Sequence, residues 1–189
     1  MREILFRGFT PDENGRETIT VSGKQIKGEW VQGSYWELRE TTYCFQSDYD
    51  MHPDNTKHYI VFDRMTDWGL PNRHLQADVI PETVGQFTGL TDKNGKKIFE
   101  GDILEYRSDI VSLGSGYKTG AVEVSHRVVE WGEYGWIYKE ISNNRWNSSW
   151  NNYGRKDHLY KKNVFEFATV IGNIHDNPEL LKNEHPAIL

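Results

Sequence analysis

Apolar residues along this chain fall in short runs that alternate with polar ones and stop at Gly, Pro, Asn or Asp. That is the period-two pattern of strands joined by tight turns, and only residues 178–183 look helical. Residues 4–9 form a first apolar run, closed by the turn sequence Thr10-Pro11-Asp12-Glu13-Asn14-Gly15. The β-branched residues of 18–21 predict the returning strand, and Ser22-Gly23-Lys24 the next turn. Residues 29–38 carry large side chains on an extended pattern, in which Gly33 marks a bulge or the close approach of another backbone. The β character continues through 41–47. Residues 48–57, with three Asp beside His52, Pro53 and Asn55, predict an exposed loop. A strand follows at 58–63, then an irregular turn over 64–78, where Gly69, Pro71 and Asn72 break any helix.

The second half keeps the same character. Gln86-Phe87-Thr88-Gly89-Leu90 alternates as a half-buried strand does. Asp92-Lys93-Asn94-Gly95-Lys96 supplies an Asn-Gly pair, the strongest short-range hairpin signal because both residues tolerate positive φ. Ile98 and Phe99 resume the return strand, and Glu100-Gly101-Asp102 makes a second turn before a strand opened by Ile103, Leu104 and Tyr106. The Gly- and Ser-rich stretch 108–120 predicts a mobile loop. A hairpin follows, with arms at 121–131 and 136–138 around a turn at 132–135. Residues 143–158 form a long polar and aromatic excursion, and 164–174 is the longest β run. Asp176 or Asn177 then caps a short helix with Pro178 in its first turn and Glu179 favourable to the helix dipole. The terminal residues 183–189 are expected to fray.

Four stretches carry a family resemblance. Met1-Arg2-Glu3-Ile4-Leu5-Phe6-Arg7-Gly8 with Gly28-Glu29-Trp30-Val31-Gln32-Gly33-Ser34 opens the chain. Thr83-Val84-Gly85-Gln86-Phe87-Thr88-Gly89-Leu90, continuing through Asn94-Gly95 to Glu100-Gly101-Asp102-Ile103, occupies its centre. Val170-Ile171-Gly172-Asn173-Ile174-His175-Asp176-Asn177-Pro178-Glu179-Leu180 closes it. Together these resemble the YopX family of phage and prophage proteins, with Gly85, Gly89, Asn94, Gly95, Glu100, Gly101, Asp102, Gly172, Asn173 and Pro178 as signature positions. The resemblance implies an SH3-like β-barrel and brings no particular biochemical activity with it. The expected fold is therefore mainly β: a small SH3-like barrel over 81–182, an N-terminal β extension over 1–80 packed on it, and a short C-terminal helix. The alternative is a single YopX domain over 1–182.

Composition narrows the function classes. Aromatic residues are frequent, with 7 Trp, 10 Tyr and 8 Phe, which again favours strands. The single cysteine, Cys44, excludes an internal disulfide and a cysteine-rich zinc site, and its β-prone neighbours suggest a small hydrophobe in a strand. Residues 1–17 hold no apolar export core and no run approaches the ~20 apolar residues of a membrane span. The cytoplasm of a bacterial host is the expected location. The net charge of −6 is uneven: residues 143–164 carry five basic side chains against Asp157 alone, giving +4, and every other region is acidic. An acidic molecule with one basic island is a poor non-specific nucleic-acid binder, although the island itself remains available to a local ligand.

Candidate chemistry is sparse. Asp92 and Asn94 invite a calcium-loop reading, but placing Gly95 at loop position 6 puts Leu90 and Gly101 where carboxylates are required. Glu100 and Asp102 are carboxylates flanking a turn, which predicts caps rather than acid–base chemistry. The seven His have no metal-ligand spacing, and no cofactor or catalytic constellation is expected. The segment holding Arg145, Trp146, Trp150, Tyr153, Arg155 and Lys156 combines aromatic, amide and basic side chains. That mixture suits packing onto the barrel, a protein-interface hot spot, or stacking of single-stranded nucleic acid. The expectation is a non-enzymatic protein-interaction module that self-associates or binds a phage or host protein, with single-stranded nucleic-acid binding through 143–164 as the alternative.

Overall fold

Among the described residues of the computed structural model, every strand pairing is antiparallel. The structure describes residues 3–11, 18–19, 25–39, 44–51, 56–65, 68–112, 114, 116–143, 156–159, 164 and 167–181. They belong to two compact units, Met1–Gln86 and Phe87–Leu189.

In the first unit, β1 (Phe6–Phe9), β4 (Trp30–Arg39), β5 (Thr56–Met65) and β6 (Pro71–Asp78) lie in the order β6-β5-β4-β1. Two short strands, β2 (Thr18–Ile19) and β3 (Gln25–Ile26), pair separately. Strand β4 changes partner along its length, facing β1 up to Gly33 and β5 from Ser34 onward. At the changeover a Cβ on Gly33 would run into the Val61 carbonyl, so the expected close approach of backbone is present. Ile26, Val31, Ile60, Leu75, Ala77 and Val79 form the core. Of the region expected to be an irregular turn at 64–78, residues 68–70 are non-strand, whereas 64–65 end β5 and 71–78 form β6. Pro71 is tolerated because it opens an edge strand, where its missing N–H leaves no ladder bond unmade. The expected loop at 48–57 includes a six-residue helix, α1 (Gln46–Met51), with no buried residue. Cys44 is exposed and lies outside any strand, so its expected role as a buried hydrophobe does not hold.

The second unit contains most of β7 (Gly85–Thr91), then β8 (Lys97–Phe99), β9 (Asp102–Val111), β10 (Lys118–Gly132), β11 (Gly135–Asn143), β12 (Lys156–His158) and β13 (Ala168–Asn173). The last five make a sheet of order β12-β11-β10-β9-β13. It is open, with β12 and β13 at its edges, and among the described residues no pairing closes it into the expected SH3-like barrel. The reason is that β13 returns beside β9, on the opposite side of the meander from β12. One set of core residues includes Ile98, Leu104, Tyr106, Val129, Ala168 and Val170, and another Ile103, Val128 and Ile141. The alternation along β9 and β10 separates these sets onto the two sheet faces.

Other expectations shift in this unit. Strands β9 and β10 extend into the stretch expected as a mobile loop at 108–120, leaving a short turn in which Ser112 N–H donates to Tyr117 O at 3.0 Å. Lys118 and Asp109 pair across it at 2.6 Å. The longest strand is β10, at 15 residues, whereas the run at 164–174 yields only the six residues of β13. The C-terminal helix is a single 3-10 turn, Pro178–Leu181. Its lead-in is organised by Asn173 rather than by the expected Asp176 or Asn177 cap: Asn173 Oδ1 accepts from the N–H groups of His175 and Asp176, each at 2.9 Å.

Candidate interaction surface

The signature positions are structural. Asp92 is buried at 1% exposure, and its carboxylate accepts three backbone N–H groups: Asn94 at 2.8 Å, Lys96 at 2.9 Å and Val170 at 3.0 Å. Burial pushes this carboxyl up, but the three N–H donors and the Lys96 ammonium outweigh it and hold it below the usual range. The turn itself differs from the expected two-residue Asn-Gly form. Gly95 N–H donates to Asp92 O, and Gly95 has φ 81°, whereas Asn94 is not among the positive-φ residues. Asp92 clamps the residues after it, so a type I turn followed by a left-handed glycine results.

Asp102 is likewise buried and caps Phe99 N–H at 2.8 Å, while Glu100 is half-buried beside it. Between them Gly101, at φ 78°, donates its N–H to Val129 O and accepts from Ile174 N–H, tying the turn to β10 and to the segment after β13. Gly85 opens β7, and Gly89 lies where the β7–β8 ladder shifts register. Gly172 lies against the Asn177 side chain, which leaves no room for a Cβ, and Pro178 begins the closing 3-10 turn. Among the described residues, no group of three or more His, Cys, Asp or Glu could hold a metal ion. Nor is any helix there long and apolar enough to cross a membrane.

Of the residues proposed from sequence as a binding loop, Arg145, Trp146, Trp150, Tyr153 and Arg155 lie outside the described residues. Lys156 begins β12, where its backbone pairs with Lys139 of β11.

A different aromatic cluster stands at the end of the β10–β11 hairpin. Trp131 pairs with Trp136 and Gly132 with Gly135, which leaves Glu133 and Tyr134 as the connecting residues. The two indoles meet edge to face, with centroids 4.7 Å apart and planes at 83°. Trp136 packs against the core containing Leu104 and Val129, which anchors the pair. Trp131 is 55% exposed and Tyr134 83% exposed. A hydrogen bond to the Glu133 carboxylate pushes the Tyr134 hydroxyl up from its ordinary value, so that hydroxyl stays protonated and able to donate. Sequence reasoning placed the hairpin but did not single out these aromatics. The available signal was three large rings spaced around a Gly-x-x-Gly turn, a cost in exposed apolar area that folding alone does not require.

Comparison with known proteins gives a lineage. A crystal structure of protein EF1440 from Enterococcus faecalis is similar at 19% identity and a TM-score of 0.44, over 96% of this chain and 100% of that one. No curated protein matches. Residues 23–182 match the family described as YopX protein, a span covering most of the chain. The chain belongs to the YopX family.

Proposed function

We propose that this chain is a non-enzymatic protein-interaction module, a phage or prophage product working in the host cytoplasm, that self-associates through the β10–β11 tip. The observation that carries the reading is the exposure of Trp131 and Tyr134 on a hairpin whose base is fixed by the Trp131–Trp136 contact. Trp and Tyr are the residues in which binding energy concentrates, and rigid rings lose little conformational freedom on docking. Charge favours a second copy as the partner. Glu130 and Glu133 flank the tip, whereas residues 143–164 of the same sequence carry +4. The same carboxylates disfavour nucleic acid at the tip itself.

Light scattering over a concentration series tests this. The expected result is a mass that rises above that of the monomer for the native chain and stays monomeric for the Trp131→Ser, Tyr134→Ser double variant. A monomeric mass for the native chain at the highest concentration defeats self-association. Retention of single-stranded DNA at low salt, weakened by Trp150→Ala and Arg155→Ala, would move the function to the basic segment instead.

A further inference from the structure

Three adjacent strands place a serine, a histidine and a carboxylate in one row. His126 of β10 pairs with Glu105 of β9 on one side and with Ser142 of β11 on the other. A bulge makes this row. Between His126 and Arg127 the β10–β11 register slips, so Ile141 is the extra residue of β11 and Ser142 stands opposite His126. Ile141 packs with Ile103 and Val128 in the core. Ser142 Oγ lies 3.0 Å from His126 Nδ1, and His126 Nε2 lies 3.6 Å from Glu105 Oε2. The row is partly open to solvent, with the His126 side chain 26% and that of Glu105 20% exposed, and Ser142 half-buried. Sixteen positions of chain separate His126 from Ser142, so no spacing rule reveals the pair.

The charges fix the direction of the Ser142–His126 hydrogen bond. The Arg107 guanidinium donates to Glu105 at 2.7 Å and, against partial burial, holds its carboxyl below the ordinary value, so Glu105 is an anion at neutral pH. An imidazole nitrogen that faced this anion with its lone pair would be repelled. In neutral His126 the proton therefore sits on Nε2, and Nδ1 is the acceptor. The Ser142 hydroxyl is then the donor. A hydroxyl bonded to an imidazole that a carboxylate orients is the arrangement that activates a nucleophile. Arg107 offsets the charge of Glu105, and the neighbours Ile103, Val128 and Ile141 are apolar. An uncharged acyl carbon therefore suits the site better than a phosphoryl anion.

We propose that Ser142 is an acylation site, taking a short acyl group from an activated ester or thioester with His126 as the base. Ser142 Oγ bonds to the acyl carbon while its proton passes to His126 Nδ1, and Glu105 offsets the imidazolium charge formed. The C–O or C–S bond of the donor breaks, and the proton leaves with the alcohol or thiol. The product is a modified side chain on β11 and not a turnover, so the site adds to the interaction module without making it an enzyme. Its test does not rest on self-association. The full chain is treated with p-nitrophenyl acetate or S-phenyl thioacetate and mapped by peptide mass spectrometry. One acetyl group is expected on Ser142, arriving at least about tenfold faster than on Ser108, which is exposed on β9. The reagent with the larger rate advantage over its reaction with N-acetylserinamide assigns the donor as ester or thioester. His126→Gln should slow acetylation of Ser142 about a hundredfold and leave Ser108 unchanged. Glu105→Gln, which no longer selects the tautomer, should slow it about tenfold. The native rate at Ser142 should fall in acid as the imidazole takes up a proton, and the His126→Gln rate should lack that fall, a signature that a merely structural histidine would not give. No acetyl group on Ser142, a rate no greater than that of Ser108, or an unchanged rate in His126→Gln would each overturn the proposal.

Discussion

Two hairpins of the same unit end in opposite chemistry. The β7–β8 turn hides a carboxylate and gives it three backbone N–H partners, so its polar residue is committed to the frame. The β10–β11 turn does the reverse, leaving Trp131 and Tyr134 in solvent and fixing only Trp136 to the core. A buried charge is tolerable only when it is paired or well hydrogen-bonded, which makes the first turn intolerant of change. An exposed aromatic contributes little to folding and much to association, which makes the second turn dispensable for the fold. The first turn is thus committed to the frame, and the second is the one proposed to associate.

Substitution at Asp92 should break the contrast most visibly. Asp92→Ala strands the N–H groups of Asn94, Lys96 and Val170 at once, and should cost about 3 kcal/mol in urea unfolding. Asp92→Asn keeps one oxygen acceptor and should lose less. A loss below about 1 kcal/mol for the alanine variant would show that water replaces the carboxylate without difficulty.

The acid limb of the stability curve sharpens the comparison with a smaller effect. The folded Asp92 carboxyl is held below its ordinary value, so its stabilisation is complete above the unfolded pKa of about 4 and is lost as pH falls through the lower folded value. Glu105 contributes in the same window. The hydrogen bond from the Arg107 guanidinium lowers it most, burial opposes this, and His126 adds to the lowering. The difference between the native chain and Asp92→Asn isolates the first carboxylate. Equal slopes below pH 4 in the two would contradict the geometry.

The smallest change in stability belongs to the tip. Trp131→Ser with Tyr134→Ser removes one aromatic pair and two exposed rings, and should shift unfolding by about 1 kcal/mol or less. The same double variant is the one expected to lose self-association. A large loss of stability would mean that the tip is part of the frame after all.

Much of the local grammar was legible from residue types. Gly33 announced a close approach, Gly101 a turn, and the alternation at 121–131 a hairpin arm, because each depends on neighbours in sequence. Where the reading failed, the missing term was non-local. The strands over 108–111 and 71–78 form because long partners hold them, through contacts such as Lys118–Asp109 and the β5–β6 ladder. Gly and Ser, or Pro and Asn, cannot reveal such partners. The open sheet in place of a closed barrel follows from β13 choosing β9 as its neighbour, a choice between competing edges that no local pattern encodes.

The candidate sites divide in the same way. The sequence by itself determined strand-and-turn architecture and YopX membership, since these rest on spacing and residue type. Only the tertiary structure decided that Asp92 bonds to Val170 across 78 positions of chain, because burial of a carboxylate depends on what packs over it. Only it could show that Tyr106 is enclosed beside Arg127 while Trp131 stands in solvent. In sequence both are aromatics on strands of alternating polarity, and which face meets the core is fixed by register alone.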